Sequence, residues 1–296
     1  MARFGPVLTA MVTPFDAHGR LDLDGAAALA EWLVGHGSDG LVVTGSTGEA
    51  ATLTDDEQVE VWRAVRAAVP HRTVIAGSGV NDTRHAVELT AHATKAGMDG
   101  VLVVTPYYNR PSQAGLEAHF RTVAAATDLP VLLYDIPIRT GRKIATEVLL
   151  RLAAEVPNIV GVKDAAGDAP ESARLLSEAP DDFELYVGDD AMTLPLLSVG
   201  AVGIISVASH WAGRQLGELF GAWGSGDHDG ARRINASLIP SWDFESSADA
   251  PNPVPTKAML RHLGLPAGEC RPPMGPTPDG LEERAAALLD ALGGID

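Results

Sequence analysis

Ile159-Val160-Gly161-Val162-Lys163-Asp164 is apolar or small at four successive positions and then stops on two charges. Strict alternation would mark a strand with one wet face; an unbroken run marks a parallel strand covered on both faces. Counting this one as 159–163, eight such runs occur, the others at 7–12, 40–44, 73–77, 100–105, 130–134, 184–188 and 202–207. Amphipathic segments separate them. Thr54-Asp55-Asp56-Glu57 reads as a capping box, with Val59, Trp62, Val65 and Val69 at helical spacing behind it. Leu23, Ala27, Ala30 and Val34 repeat that spacing earlier, and Gly97 is placed to end the helix before the fourth run. Strand-then-helix repeated eight times predicts an α/β fold, a (β/α)8 TIM barrel. A doubly wound sheet is the alternative, because a strand count does not establish closure.

Past residue 211 the strand signal ends. Helices are predicted over 215–223, 229–239, 254–263 and 278–292. The last has Thr277 as its N-cap, Pro278 at the first helical position, and Leu281, Ala285, Leu288 and Leu292 on one stripe. The expected organisation is a catalytic barrel over residues 1–225 with a C-terminal helical appendage over 226–296.

A chain of 296 residues can bury a large core without covalent staples. With 22 basic residues against 39 acidic and no Lys/Arg run, neither a nucleic acid nor an anionic membrane is an expected partner. The single cysteine, Cys270, allows no internal disulfide and no cysteine-based metal site, and reads as an incidental thiol. The nine histidines form neither His-x-x-x-His nor His-Glu-x-x-His, and Asp189-Asp190 reads as a helix cap, so no metal is expected. Gly77-Ser78-Gly79-Val80-Asn81-Asp82 carries Asp where a dinucleotide fingerprint needs its third Gly, so no redox cofactor is implied. The start lacks the apolar core of a signal peptide, and the longest apolar stretch, 199–208, is too short to span a bilayer. A cytoplasmic location is expected.

Catalytic groups of a barrel gather where strands end and βα loops begin. Of the four lysines, only Lys163 is predicted inside a strand; Lys95 and Lys257 fall on predicted helices and Lys143 in a loop. An ammonium at an apolar barrel mouth loses hydration, which lowers its pKa and frees a neutral amine to attack a carbonyl. The competing possibility is an ion pair with Asp164 or another carboxylate; position alone leaves the two balanced. Ser46 and Thr47 sit in a glycine-flanked turn whose N–H groups and hydroxyls suit a carboxylate or phosphate. Judged alone, it is equally an ordinary βα turn. Tyr134 ends a strand with its hydroxyl in reach of a reacting centre, or is a packed aromatic. Arg139 suits bidentate capture of a carboxylate, or is solvated. Tyr107 and Tyr108 fit a pocket wall or, by preference, an interface.

Four blocks in order are Gly45-Ser46-Thr47-Gly48-Glu49, Val104-Thr105-Pro106-Tyr107-Tyr108-Asn109-Arg110-Pro111, Tyr134-Asp135-Ile136-Pro137-Ile138-Arg139-Thr140-Gly141 and Gly161-Val162-Lys163-Asp164. Together they resemble the pyruvate-dependent Schiff-base lyases of the dihydrodipicolinate synthase / N-acetylneuraminate lyase superfamily, over about residues 8–265. The Arg139 turn, the Tyr107-Tyr108 block and Pro251-Asn252-Pro253-Val254-Pro255-Thr256-Lys257 are similar to the dihydrodipicolinate synthase family within it. The resemblance implies condensation of pyruvate with aspartate semialdehyde through an imine on Lys163, in lysine and diaminopimelate biosynthesis, with no dissociable cofactor. It implies that Ser46 and Thr47 bind the pyruvate carboxylate and that Arg139 holds that of the aldehyde. Tyr134 would act as general acid and base, relaying protons through Ser46 and Tyr108. Tyr108 would come from the neighbouring subunit of a homotetramer, a dimer of dimers. Backbone carbonyls of Gly188 and Ile205 would line the pocket.

Two departures from the family pattern matter. Ser46 stands where many members have Thr, which keeps the hydroxyl but loses the methyl that restrains χ1. Serine there also occurs among the sugar-acid lyases, so a sibling aldolase or dehydratase is the alternative function. A metal-dependent barrel aldolase and a non-catalytic binding barrel are more distant ones. Lysine-sensitive members surround their effector with His and Glu, whereas the matching positions here are Asp55, Gln58 and His85. Weak or absent inhibition by lysine is expected.

Overall fold

In the computed structural model, which describes residues 2–294, eight parallel strands follow one another in chain order. They are β1 (Val7–Ala10), β2 (Gly40–Val43), β3 (Thr73–Gly77), β4 (Gly100–Val104), β5 (Val131–Asp135), β6 (Ile159–Asp164), β7 (Glu184–Val187) and β8 (Gly203–Ser206). β8 pairs back onto β1, with Ile205 opposite Leu8, so the sheet closes and has no edge. Closure decides for the barrel over the doubly wound sheet.

Two apolar shells explain the unbroken runs. Leu8, Val42, Ile75, Leu102, Leu132 and Tyr186 fill the barrel interior. Val7, Leu41, Val74, Val101, Leu133 and Val162 face the layer between strands and helices. Each strand is therefore dry on both sides.

β6 breaks the alternation once, with a consequence for the site. Val131 pairs with Ile159, but the next residue, Leu132, pairs with Gly161, leaving Val160 as an extra residue in the ladder. Ile159 and Val162 face outward and Val160 inward. Without the extra residue, Lys163 would share the outward parity of Ile159. With it, Lys163 lies opposite Tyr134 and both side chains point into the barrel mouth. Gly161 makes the crowding possible: a Cβ there would lie 2.2 Å from the Glu184 carbonyl oxygen.

Helices follow the strands as expected, from Leu23–Gly35 after β1 to Ser209–Gly224 after β8. The capping box forms, with the Glu57 N–H donating to Thr54 Oγ1 at 3.2 Å and the Thr54 N–H to Glu57 Oε2 at 2.9 Å. Three helices come after the barrel units: His228–Phe244, Val254–His262 and Leu281–Leu292. The first does not stop at residue 239 but runs on through Pro240, which carries Glu245 into the barrel mouth. The third begins at Leu281 behind Gly280 (φ 78°), not at Pro278. Thr277 does not cap it: Gly280 holds the N-cap position, and the Thr277 hydroxyl instead donates to Glu269 at 2.6 Å and accepts from Arg261 at 2.9 Å. Among the described residues, no helix is long and apolar enough to cross a membrane.

Candidate active site

A cavity of about 200 Å³ opens at the C-terminal ends of the strands, lined by Lys163, Tyr134, Ser46, Thr47, Arg139 and Gly188. Six of the residues singled out from the sequence thus meet in one place. Lys163 is only 4% exposed, and its Nζ lies 4.4 Å from the centroid of the Tyr134 ring. A Cβ on Gly188 would lie 2.9 Å from Lys163 Cγ, so glycine is what leaves the lysine its room.

The two possibilities for Lys163 now separate. Asp164 turns to the outside of the barrel, where it accepts from Ser172 Oγ at 2.5 Å and from the Ala166 N–H at 2.9 Å. Asp190, inside the mouth, accepts from the Ser206 hydroxyl and, at 2.9 Å, from the Val207 N–H. Among the described residues, no carboxylate makes a salt bridge to Lys163, whereas Lys143 and Lys257 each have one. Burial therefore outweighs the pull of Asp190 and Glu245 and lowers the Lys163 pKa to about 8. Burial also pushes the Tyr134 phenol well above its ordinary range, so it stays a protonated donor.

The turn and the arginine are joined by a residue to which no role was given from the sequence. Asn252 Nδ2 donates to Thr47 Oγ1 at 3.0 Å, and Arg139 Nη2 donates to the Asn252 carbonyl at 3.2 Å. Asn252 precedes the helix Val254–His262 and comes from the far end of the chain, so the 251–257 block in which it was noted gave no sign of where it would meet the site. A second cavity of about 290 Å³ shares Ser46, Tyr134, Arg139 and Asn252 with the first and is bordered by Tyr107.

Two of the singled-out residues lie elsewhere. Tyr108 is 90% exposed on a left-handed backbone (φ 72°) and lines neither cavity of its own chain. The Ile205 side chain is not on the cavity; it is fully buried in the barrel interior, and Val207 stands at that edge. Asp189 caps a short turn as expected, accepting from the Ala191 N–H at 3.2 Å, whereas Asp190 turns inward. Glu245 also faces the site, its carboxyl pushed up by burial and by the neighbouring acids. Cys270 is buried with its thiol pushed up to about 12. Among the described residues, no group of His, Cys, Asp and Glu is arranged to hold a metal ion.

A buried amine, a protonated phenol and a hydroxyl-bearing turn can form and process an imine of a 2-oxo acid. Comparison with known proteins identifies the family. The dihydrodipicolinate synthetase family matches residues 3–292. A 4-hydroxy-tetrahydrodipicolinate synthase of Moorella thermoacetica is 51% identical over 97% of this chain and 98% of its own. One of Acidothermus cellulolyticus is 53% identical over 98% and 92%. The crystal structure of a dihydrodipicolinate synthase from Bacillus anthracis superposes with a TM-score of 0.93 at 40% identity, covering 100% of both chains. That of the Cyanidioschyzon merolae enzyme with lysine bound gives 0.95 at 43%, covering 98% of each. From end to end, in sequence and in backbone, the chain belongs to the dihydrodipicolinate synthetase family.

Proposed function

We propose that Lys163 is the amine on which this family member forms its Schiff base. The chain is a lyase that condenses pyruvate with L-aspartate 4-semialdehyde to 4-hydroxy-tetrahydrodipicolinate, in lysine and diaminopimelate biosynthesis. The observation that carries the role of Lys163 is a buried lysine that faces Tyr134 and, among the described residues, makes no salt bridge to a carboxylate. Its neutral amine attacks the ketone carbon of pyruvate and water leaves, giving an imine. Loss of a methyl proton converts the imine to an enamine, whose carbon attacks the aldehyde. The aldehyde oxygen takes up a proton, and the substrate's own amino group then displaces Lys163 as the ring closes. The scheme needs no dissociable cofactor, because the protonated imine accepts the electron pair.

Ser46 and Thr47 grip the pyruvate carboxylate, and Tyr134 supplies and recovers protons through the Ser46 hydroxyl. Arg139, on the same cavity, takes the carboxylate of the aldehyde. Gly188 completes the wall. Tyr108 is too exposed to serve its own site, and we assign its hydroxyl to the site of a neighbouring copy in a homotetramer. The partner's Tyr108 would enter through the cavity bordered by Tyr107. We place this soluble enzyme in the cytoplasm. Turnover of pyruvate with aspartate semialdehyde, compared with cleavage of N-acetylneuraminate and of 2-keto-3-deoxygluconate, tests the reading. The first reaction should dominate, and preference for a sugar acid would move the protein to the sibling lyases.

A further inference from the structure

The carboxylate-binding turn is strung between two non-glycine residues in the left-handed region, Thr44 at φ 51° and Glu49 at φ 57°. Such backbone persists only where its surroundings over-determine it, and each end has a clamp. Thr44 Oγ1 accepts from Trp62 Nε1 at 2.6 Å and donates to the Gly77 carbonyl at 3.3 Å. Glu49 is held from the C-terminal region. Lys257 Nζ lies 2.6 Å from its Oε1, and the Arg271 N–H donates to its Oε2 at 2.8 Å. Both charged side chains of the pair are 1% exposed.

The clamp is itself braced. Lys257 Nζ donates to the Glu269 carbonyl at 3.2 Å and sits 4.1 Å above the Phe15 ring. The Arg271 guanidinium donates to Glu57 and to the carbonyls of Thr52 and Gly19. From Glu49 the restraint passes to the turn in one step, since its N–H donates to the Ser46 carbonyl at 3.2 Å. A buried ion pair is poor support for stability as such, because an apolar pair of equal volume serves as well. Its directional hold on a strained backbone is what an apolar pair cannot supply.

We propose that Glu49 and Lys257 are positioning residues, through which the helix Val254–His262 fixes the Ser46-Thr47 turn in the shape that grips the 2-oxo acid carboxylate. Neither touches the reacting atoms. The inference rests on the assignment of that turn to pyruvate. Lys257→Met removes the hold but strands a buried carboxylate; Glu49→Gln/Lys257→Met removes both charges at nearly constant volume and keeps the test open should the single variant fail to fold. Steady-state constants for each substrate are the readout. The KM for pyruvate should rise about tenfold in Lys257→Met and about threefold in the double variant, with the KM for the aldehyde nearly unchanged. The pH midpoint of borohydride trapping on Lys163 should not move. An unaltered pyruvate KM in the double variant, both KM values rising together, or a lower melting temperature with neither changed would overturn the inference. Trapping of pyruvate by the unaltered enzyme is the control. If it occurs and the pyruvate KM does not respond, only the positioning role falls; if it does not occur, the Schiff-base reading falls too.

Discussion

Lys257 and Lys163 are both withdrawn from water, yet only Lys257 has a carboxylate at ion-pair distance among the described residues. Lys257 lies on the helix Val254–His262 with the Glu49 carboxylate 2.6 Å away. Lys163 lies on β6 with an aromatic ring 4.4 Å away and with Asp164 and Asp190 bonded to other donors. Burial lowers the pKa of both, and at Lys257 the attraction of Glu49 opposes that fall without cancelling it. A counter-ion keeps an amine charged and makes it a strut; withholding the counter-ion makes it a nucleophile. Degree of burial does not distinguish the two residues, and partner geometry does.

Deleting the amine puts that distinction under the greatest stress. Lys163→Met should lower turnover by about 10⁴-fold or more, on the scale of removing a covalent nucleophile. Because no ion pair is broken, the melting temperature should hold or rise. A marked thermal loss would instead make Lys163 a second strut. Tyr134→Phe keeps the ring over Nζ and deletes only the hydroxyl proposed to carry protons, so kcat should fall by about 10²–10⁴-fold. A kcat left intact would transfer that role to another group.

The pH dependence is the next effect in size. Below the Lys163 pKa of about 8 the amine is protonated and cannot attack. The initial rate of borohydride trapping with pyruvate should therefore rise about tenfold per pH unit up to that point and level off above it. A midpoint near the ordinary lysine value of about 10.4 would mean that burial does not act on this amine. The smallest effect expected is that of free lysine. Asp55 pairs with His85 at 2.8 Å and Gln58 is buried, so the positions matching the family's effector site offer no glutamate to an ammonium group. Sub-millimolar lysine should leave activity above half in a steady-state assay, and half-inhibition in that range would refute this.

What the sequence revealed was which polar residues gather at the strand ends, because there a residue's neighbours in the chain are also its neighbours in space. Lys163, Tyr134, Ser46, Thr47, Arg139 and Gly188 each follow or end an apolar run, and all reach one cavity. Contributions from the C-terminal helices were not legible. Asn252 meets Thr47 across 205 positions of chain, and Arg271 meets Glu49 across 222. Lys257, set aside as a helical lysine, is fully buried because its helix is enclosed at every position from Val254 to Leu260. The extra residue in β6 was also hidden, since an unbroken apolar run carries no parity from which the facing of Lys163 can be read.

Reduction with borohydride in the presence of pyruvate, followed by peptide mass spectrometry, addresses the difference between the two buried lysines most directly. A pyruvyl-derived mass should appear on the peptide containing Lys163 and be missing from those containing Lys95, Lys143 and Lys257. An adduct on Lys257 or another lysine, or no adduct at all, would show that withholding a counter-ion is not what makes Lys163 reactive.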